Sequence, residues 1–261
     1  MVNRALGMIE GEGPVAGAPR SIGVMGGTFD PIHLGHLAVA EEAREALGLD
    51  RILFVPAGLP PHKPHGAVAS TEDRVAMVKL AIAGNPAFAL SRVDVDRPGP
   101  SYTTETMALL RHGVVTEDST GIGPGTAGGE GDGTAGGEGD GTSGGEGAGT
   151  SVNGIQLTLI MSTETLAGLP GWREPRRLLE ECRVAVVPRE GHAAPTRAWL
   201  SEQFPGLEDQ FDLVEGPRLG ISSTAIRDRI AAGRSIRYLV PEAVERHIAD
   251  HHLYARANGS N

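Results

Sequence analysis

Short apolar runs alternate with longer amphipathic segments along most of the chain. Runs of the length and composition of buried strands occupy residues 21–25, 51–56, 88–96, 155–161, 183–188 and 210–216. Helical spacing of apolar residues appears between them, at 37–47, 73–83 and 103–111. Strands that alternate with helices of this size predict a parallel sheet covered on both faces. The fold class is therefore α/β, with a Rossmann-like, doubly wound parallel sheet in a single domain.

Small and polar residues predict where the helices begin and end. Gly48 is expected to end the first helix, and Thr71 to cap the second, which stops at Gly84. Ser101 or Thr103 is the expected cap of the third helix.

A glycine-rich, acidic segment interrupts this alternation at residues 116–152. It holds 15 of the 38 glycines between residues 121 and 150, in an eight-residue repeat of Gly, Thr or Ser, Ala, Glu and Asp. Such a segment cannot bury enough apolar surface to offset its backbone entropy, so we predict a disordered insertion. Because closing a long loop costs little extra free energy, the insertion is no domain boundary. The repeats lack the apolar position of calcium-binding repeats.

The expected organisation is a flexible leader at 1–20, a domain at 21–254 interrupted by 116–152, and a tail at 255–261. The formal charge is −10, but seven of the excess carboxylates lie in the insertion, which leaves about −3 elsewhere. That balance gives no support for binding long nucleic acid. Without an apolar stretch of membrane length or a secretory signal, and with Cys182 as the sole cysteine, a cytoplasmic protein is expected, and Cys182 is read as packing.

The most informative segment is Gly-Gly-Thr-Phe-Asp-Pro-Ile-His-Leu-Gly-His, residues 26–36, between the first strand and the first helix. Free backbone N–H groups and the helix dipole at such a turn favour an anion. Gly35 between the two histidines lets a phosphate chain approach the backbone. A dinucleotide-binding turn is disfavoured because its glycine spacing is absent, and a zinc site because no third ligand is evident nearby. No protein-held metal is predicted.

The segment resembles the Gly-x-Phe-Asp-Pro-x-His-x-Gly-His signature of the nucleotidyltransferase superfamily, whose members join a nucleotide to a phosphate and release pyrophosphate. The Ser-Ser-Thr-Ala-Ile-Arg stretch at 222–227 resembles its second signature, although a plain N-cap explains Ser223 alone. The resemblance implies that His33, His36 and Arg227 are catalytic. It also implies ATP contacts from Gly26, Gly27, Thr28, Phe29, Asp30, His33, Gly35, His36, Ser222, Ser223, Thr224 and Arg227.

Further stretches resemble one branch, the bacterial nicotinate mononucleotide adenylyltransferases. They are residues 60–64, 100–106, 169–172 and the C-terminal segment from 233 to Tyr254. In that branch a loop tryptophan stacks on the pyridine ring, which implies an exposed Trp172 in this chain. The resemblance also implies substrate contacts from Lys63, Tyr102, Thr103, Glu164 and Trp172. A solvated lysine remains the alternative for Lys63.

One departure from the branch follows the fourth strand. The family usually carries Gly-Ala-Asp there, and this chain reads Ser162-Thr163-Glu164. Serine adds a side chain where backbone approaches the ligand, and glutamate keeps the charge one methylene further out. Lowered activity or altered substrate choice is one consequence that the sequence leaves open.

The resemblance implies that the 5′-phosphate of nicotinate mononucleotide attacks the α-phosphorus of ATP, with Mg²⁺ arriving on the nucleotide. The histidines then act as hydrogen-bond donors, either as cations or as suitable neutral tautomers. A sister enzyme that prefers nicotinamide mononucleotide and a nucleotide-binding protein without catalysis are the alternatives. Expected partners are ATP and nicotinate mononucleotide, with no membrane, and a homo-oligomer is left open.

Overall fold

The computed structural model describes residues 20–60, 67–112, 155–216 and 219–255. Lys63, the predicted insertion at 116–152, almost all of the predicted leader and all but the first residue of the predicted tail lie outside the described residues.

Within the described residues, six parallel strands form one sheet in the order β3-β2-β1-β4-β5-β6. They are β1 (Ser21–Gly27), β2 (Arg51–Pro56), β3 (Phe88–Leu90), β4 (Gln156–Ser162), β5 (Arg183–Val187) and β6 (Phe211–Leu213). This order is that of a doubly wound Rossmann-like sheet, so the predicted fold class is confirmed. The order reverses between β1 and β4, and ligands of such sheets bind beyond the carboxyl ends of the strands at this point.

Eight α-helices flank the sheet within the described residues. They are α1 (Leu34–Ala46), α2 (Thr71–Ile82), α3 (Thr103–Arg111), α4 (Thr163–Gly168), α5 (Pro175–Glu181), α6 (Arg197–Gln203), α7 (Ser223–Ala231) and α8 (Glu242–Asp250). Among these residues no helix has both the length and the apolar character needed to cross a membrane.

Alternate residues of each central strand point into two separate cores. On one face, Met25 of β1 and Phe54 of β2 pack with helices α1, α2, α7 and α8. On the other face, Val24 and Val55 pack with helices α3, α4, α5 and α6. Both faces of the sheet are therefore buried, which explains why its strands read as nearly continuous apolar runs.

Two predicted strands are shorter than the sequence indicates. The third was expected over 88–96, but β3 ends at Leu90 because the chain then turns, with the N–H groups of Val95 and Asp96 donating to the carbonyl of Arg92. The sixth was expected over 210–216, whereas β6 is three residues long and Gln210 ends a short 3₁₀ helix. Edge strands of this sheet have one neighbour each, so local turns compete with pairing there.

Three cap positions read from the sequence were also wrong, each by one residue. Ser70, not Thr71, caps α2, since its Oγ accepts the N–H of Asp73. Tyr102 occupies the cap position of α3 without a side-chain bond, and the Ser101 Oγ instead accepts the N–H of Gly58, 2.9 Å away. Ser222 caps α7, which leaves the neighbouring Ser223 hydroxyl for another contact.

Cys182 lies between α5 and β5 and is 5% exposed. Burial raises the pKa of its thiol to about 12, so it is uncharged and unreactive at neutral pH. Its predicted role in packing is confirmed. The cytoplasmic location inferred from the cysteine count stays a prediction.

Candidate active site

A cavity of about 450 Å³ opens at the switch point of the sheet, beyond the carboxyl ends of β1 and β4. Its wall is formed by the loop after β1, the start of α1, the segment leading into α3, and the loops after β4 and β5. It brings together nine of the predicted site residues, namely Gly26, Gly27, Thr28, His33, Gly35, His36, Tyr102, Thr103 and Trp172.

The two histidines form a stacked pair at the N-terminal end of α1. His33 is the N-cap residue, and its ring lies 3.7 Å from that of His36 at an angle of 20°. The His33 backbone N–H donates to Nδ1 of His36, 3.2 Å away. Since Nδ1 of His36 accepts, its neutral ring carries the proton on Nε2, which makes Nε2 a donor for an anion.

Both rings are uncharged at neutral pH. Burial, followed by the nearby positive charge of Arg189, lowers the pKa of His33 to about 4. Burial, the neighbouring His33 and Arg189 together hold the pKa of His36 well below its usual value. The sequence left open whether these histidines act as cations or as neutral donors, and the structure favours the neutral form.

The His33 ring explains why residue 35 is a glycine. A Cβ at this position would lie 3.0 Å from Nδ1 and 3.1 Å from Cε1 of His33. The absent side chain therefore makes room for the histidine stack, in addition to any approach of phosphate to the backbone.

Phe29 and Asp30 lie behind the cavity wall and hold the loop in place. The Asp30 carboxylate is 2% exposed and accepts from the N–H groups of Val68 and Ala69 and from the Tyr254 hydroxyl, at 2.8, 3.1 and 2.8 Å. Phe29, also 2% exposed, sets its ring at 78° to that of His36. Neither residue lines the described cavity, and their predicted contact with ATP stays a prediction.

The second signature is bonded to the first, although the two are almost 200 residues apart. Arg227 donates from Nη1 to the Asp30 carbonyl at 2.7 Å and from Nη2 to the Thr224 hydroxyl at 3.2 Å. The Ser223 hydroxyl donates to the carbonyl of Pro31 at 2.9 Å. Ser222, Ser223, Thr224 and Arg227 sit beside the described cavity rather than in its wall.

The opposite end of the cavity is built from two loops. The Thr104 hydroxyl donates to the carbonyl of Arg173 at 3.0 Å and so joins the start of α3 to the loop after α4. The Arg173 guanidinium lies 4.7 Å above the Tyr102 ring. Trp172 was expected to be exposed, but its ring is partly buried and packs against the core cluster that contains Leu169.

Asp94 is a cavity residue that sequence reasoning missed. It is 6% exposed and accepts from the Thr106 hydroxyl at 2.7 Å and from Nε of Arg97 at 3.0 Å. Burial raises the pKa of its carboxyl group, and these two contacts lower it. The sequence placed Asp94 within a strand, so nothing local marked it.

The triplet Ser162-Thr163-Glu164, where this chain differs from the usual Gly-Ala-Asp of the family it resembles, places one residue at a helix cap, one in the core and one on the surface. Ser162 lines the cavity and caps α4 by accepting the N–H of Thr165 at 3.2 Å, while Thr163 is buried. Glu164 is exposed and outside the wall, and its Oε2 lies 2.9 Å from Nε of Arg189. Arg189 does line the cavity and was missed, although its place just after the fifth predicted strand was a signal.

This chain is similar to known proteins both in sequence and in fold. A model of the cytidylyltransferase-like family matches residues 24–229. A probable nicotinate-nucleotide adenylyltransferase of Roseiflexus sp. (strain RS-1) is 44% identical over 89% of this chain and 97% of that protein. One of Synechococcus sp. (strain JA-3-3Ab) is 39% identical over 90% and 95%. The Plasmodium falciparum nicotinic acid mononucleotide adenylyltransferase complexed with NaAD covers 90% of this chain and 97% of that chain, with a TM-score of 0.62. At 16% identity this last likeness shows the fold alone.

Proposed function

The chain belongs to the cytidylyltransferase-like family and, within it, to the nicotinate-nucleotide adenylyltransferases, and on that premise we propose that it transfers AMP from ATP to nicotinate mononucleotide. The products are nicotinate adenine dinucleotide and pyrophosphate. The observation that carries the proposal is the stacked, neutral pair His33 and His36 at the N-terminus of α1, opening into the cavity at the switch point.

The reaction requires the protein mainly to position its two substrates and to stabilise negative charge. An oxygen of the mononucleotide phosphate attacks the α-phosphorus of ATP, a new P–O bond forms, and the bond to the β-phosphate breaks. That nucleophile is already ionised at neutral pH, so no general base is required. Catalysis then rests on holding the two phosphates in line and stabilising the negative charge that develops.

The phosphate end of the cavity supplies fixed donors for that charge. His36 donates from Nε2, and the ring of His33 stacks against it. The backbone at residues 26–28 and the N-terminal end of α1 lie at the same place. Arg227 and the hydroxyl residues 222–224 hold the loop around Asp30 and are proposed to meet the β- and γ-phosphates once ATP is bound.

The other end accommodates the mononucleotide. Tyr102, Thr103 and Trp172 lie where a flat pyridine ring would enter, and aromatic faces suit such a ligand. Glu164 acts on the cavity through its ion pair with Arg189. A phosphate contact from Lys63 stays a prediction, since Lys63 lies outside the described residues.

Mg²⁺ is proposed to arrive as part of the ATP substrate. Among the described residues that line the cavity, Asp94 alone carries a carboxylate, and Thr106 and Arg97 already donate to it. The wall therefore offers no cage of oxygen ligands, and an ion that bridges phosphate oxygens fits the site better.

The test is pyrophosphate release from Mg²⁺ and ATP with nicotinate mononucleotide, with nicotinamide mononucleotide and with neither. We expect kcat/KM to be higher for the acid, with His36→Ala as the inactive control. Turnover with the amide alone would assign the chain to the sister activity. ATP binding without turnover on either substrate would replace the proposal by a binding protein whose Ser162–Glu164 loop has lost function.

A further inference from the structure

Three side chains far from the cavity bring metal-ligating atoms together. Asp73 lies in the first turn of α2, and His247 and His251 lie one turn apart at the end of α8. Nε2 of His247 is 3.3 Å from Oδ1 of Asp73, and one ligand atom from each of the three residues lies within 4.8 Å of the others. We propose that Asp73, His247 and His251 bind one divalent transition-metal ion, of the Zn²⁺ class.

The hydrogen bonds around the three residues orient them as ligands. Nδ1 of His251 lies 2.9 Å from the carbonyl of His247, and because a carbonyl only accepts, this ring carries its proton on Nδ1. Its Nε2 then has a free lone pair. The Ser70 hydroxyl donates to Oδ2 of Asp73 at 2.6 Å, which leaves Oδ1 toward the histidines. Fixing of the far atom in this way is the usual outer-shell arrangement of protein metal sites.

The donor set selects the class of ion. Two imidazoles and one carboxylate match the ligands of tetrahedral zinc sites in which water takes the fourth position. Mg²⁺ and Ca²⁺ prefer sets composed of oxygen atoms, so the Mg²⁺ that accompanies ATP is a poor competitor. The two imidazole rings are stacked with centroids 4.0 Å apart, which keeps both histidines beside Asp73.

The position of the site indicates a structural role. None of the three residues lines the cavity. The ion would join α2 to α8, and the chain after α8 carries Tyr254, whose hydroxyl donates to the Asp30 carboxylate. The segment just before α2 also reaches Asp30, through the N–H groups of Val68 and Ala69. A metal at this point would clamp both segments that hold the phosphate loop from behind.

The first test is equilibrium dialysis of the full-length protein against Zn²⁺ without nucleotide. We expect one ion per chain, and at least a tenfold loss of affinity in His251→Ala and in His247→Ala. His252→Ala is the matched control, because His252 is the adjacent exposed histidine and belongs to no such cluster within the described chain. Equal binding by His251→Ala and the wild type would overturn the proposal. So would the absence of binding to the wild type when Zn²⁺ is in roughly 100-fold excess over protein.

The second test separates loss of metal from loss of fold. Zn²⁺ is expected to raise the Tm of the wild type and of His252→Ala by roughly 5 °C, and to leave His251→Ala unchanged. His251 is exposed, so its variant should fold and keep the metal-free Tm. With Co²⁺ in place of Zn²⁺, nitrogen and oxygen ligands give visible d–d bands without a thiolate charge-transfer band. A thiolate band would place the ion on Cys182 and reject this site.

Discussion

The phosphate end and the pyridine end of the cavity are held together in different ways. At the phosphate end the fixed groups are buried, with Asp30 at 2% and His33 at 5% exposure. At the pyridine end Arg173, on the rim, is tied to the partly exposed carboxylate of Glu105 at 3.2 Å. A buried carboxylate with several hydrogen bonds, such as Asp30, is expensive to disturb, whereas exposed ion pairs contribute about 0–1 kcal/mol each.

This difference matches the two tasks of the site. Charge stabilisation during phosphoryl-type transfer gains most from donors that need no reorganisation, and the phosphate end is preorganised. Selection of a substrate tolerates adjustment, and the pyridine end rests on loops with partly exposed rings. We therefore expect changes at the phosphate end to affect stability and kcat, and changes at the pyridine end to affect KM.

The largest effect is expected from Asp30→Ala. The variant leaves two backbone N–H groups and the Tyr254 hydroxyl without their acceptor, which should lower the free energy of unfolding by about 1–3 kcal/mol for each unpaired donor, or at least about 3 kcal/mol in all. Tyr254→Phe removes one of these three bonds and should cost about 1 kcal/mol. Urea unfolding measures both. Similar losses in the two variants would contradict the role of Asp30 as the centre of this network.

His36→Ala should leave the fold intact and reduce kcat several hundred-fold, the scale of a lost transition-state donor worth roughly 3–4 kcal/mol. Steady-state pyrophosphate release measures it, with circular dichroism as the check on folding. His192→Ala, at an exposed histidine outside the cavity, is the control and should keep the wild-type rate. An unchanged kcat in His36→Ala would remove the histidine from the mechanism.

Acid should weaken the phosphate end through its buried histidines. As the pH falls below about 6.5 the unfolded chain protonates His33, but the folded protein does so only near pH 4. The unfolded state therefore binds more protons across this window, and stability falls with pH, by about 3 kcal/mol in total for His33. The contribution of Asp94, at the pyridine end, to stability changes in the opposite direction. Its raised pKa lets the folded state take up a proton before the unfolded state does as the pH falls.

Urea unfolding at pH 7, 6 and 5, in the wild type and in His33→Asn, tests whether the free energy of unfolding falls with pH because of His33. The variant lacks the buried titrating ring, so its stability should decline less steeply below about pH 6.5. Parallel declines in the two proteins would show that His33 titrates alike in the folded and unfolded chain, which contradicts a lowered pKa in the fold.

The smallest effect is expected from Trp172→Ala at the pyridine end. Loss of a stacking ring worth about 0.5–1.5 kcal/mol should raise KM for the mononucleotide by up to roughly tenfold, with kcat nearly unchanged. Trp172→Phe keeps an aromatic face and should retain most of the affinity. A fall in kcat without a change in KM would erase the distinction between the two ends.

Local patterns decided much of the fold. The apolar run 51–56 and the helical spacing at 103–111 match β2 and α3 residue for residue. The glycine-rich turn with its two histidines was found because its signal lies within eleven consecutive residues. Edge elements were less predictable, since Val93 and Val95 alternate like a strand while the chain around them turns.

Strand and helix periodicities and turn chemistry act over short stretches of chain, so the α/β class, the parallel sheet and the place of the phosphate turn could be predicted without a structure. Contacts between residues far apart in the chain depend on packing and could not. Tyr254 reaches Asp30 across 224 residues, and His247 reaches Asp73 across 174. The neutral state of the two histidines was likewise decided by burial, a property of the packed fold rather than of the residues around them in the chain.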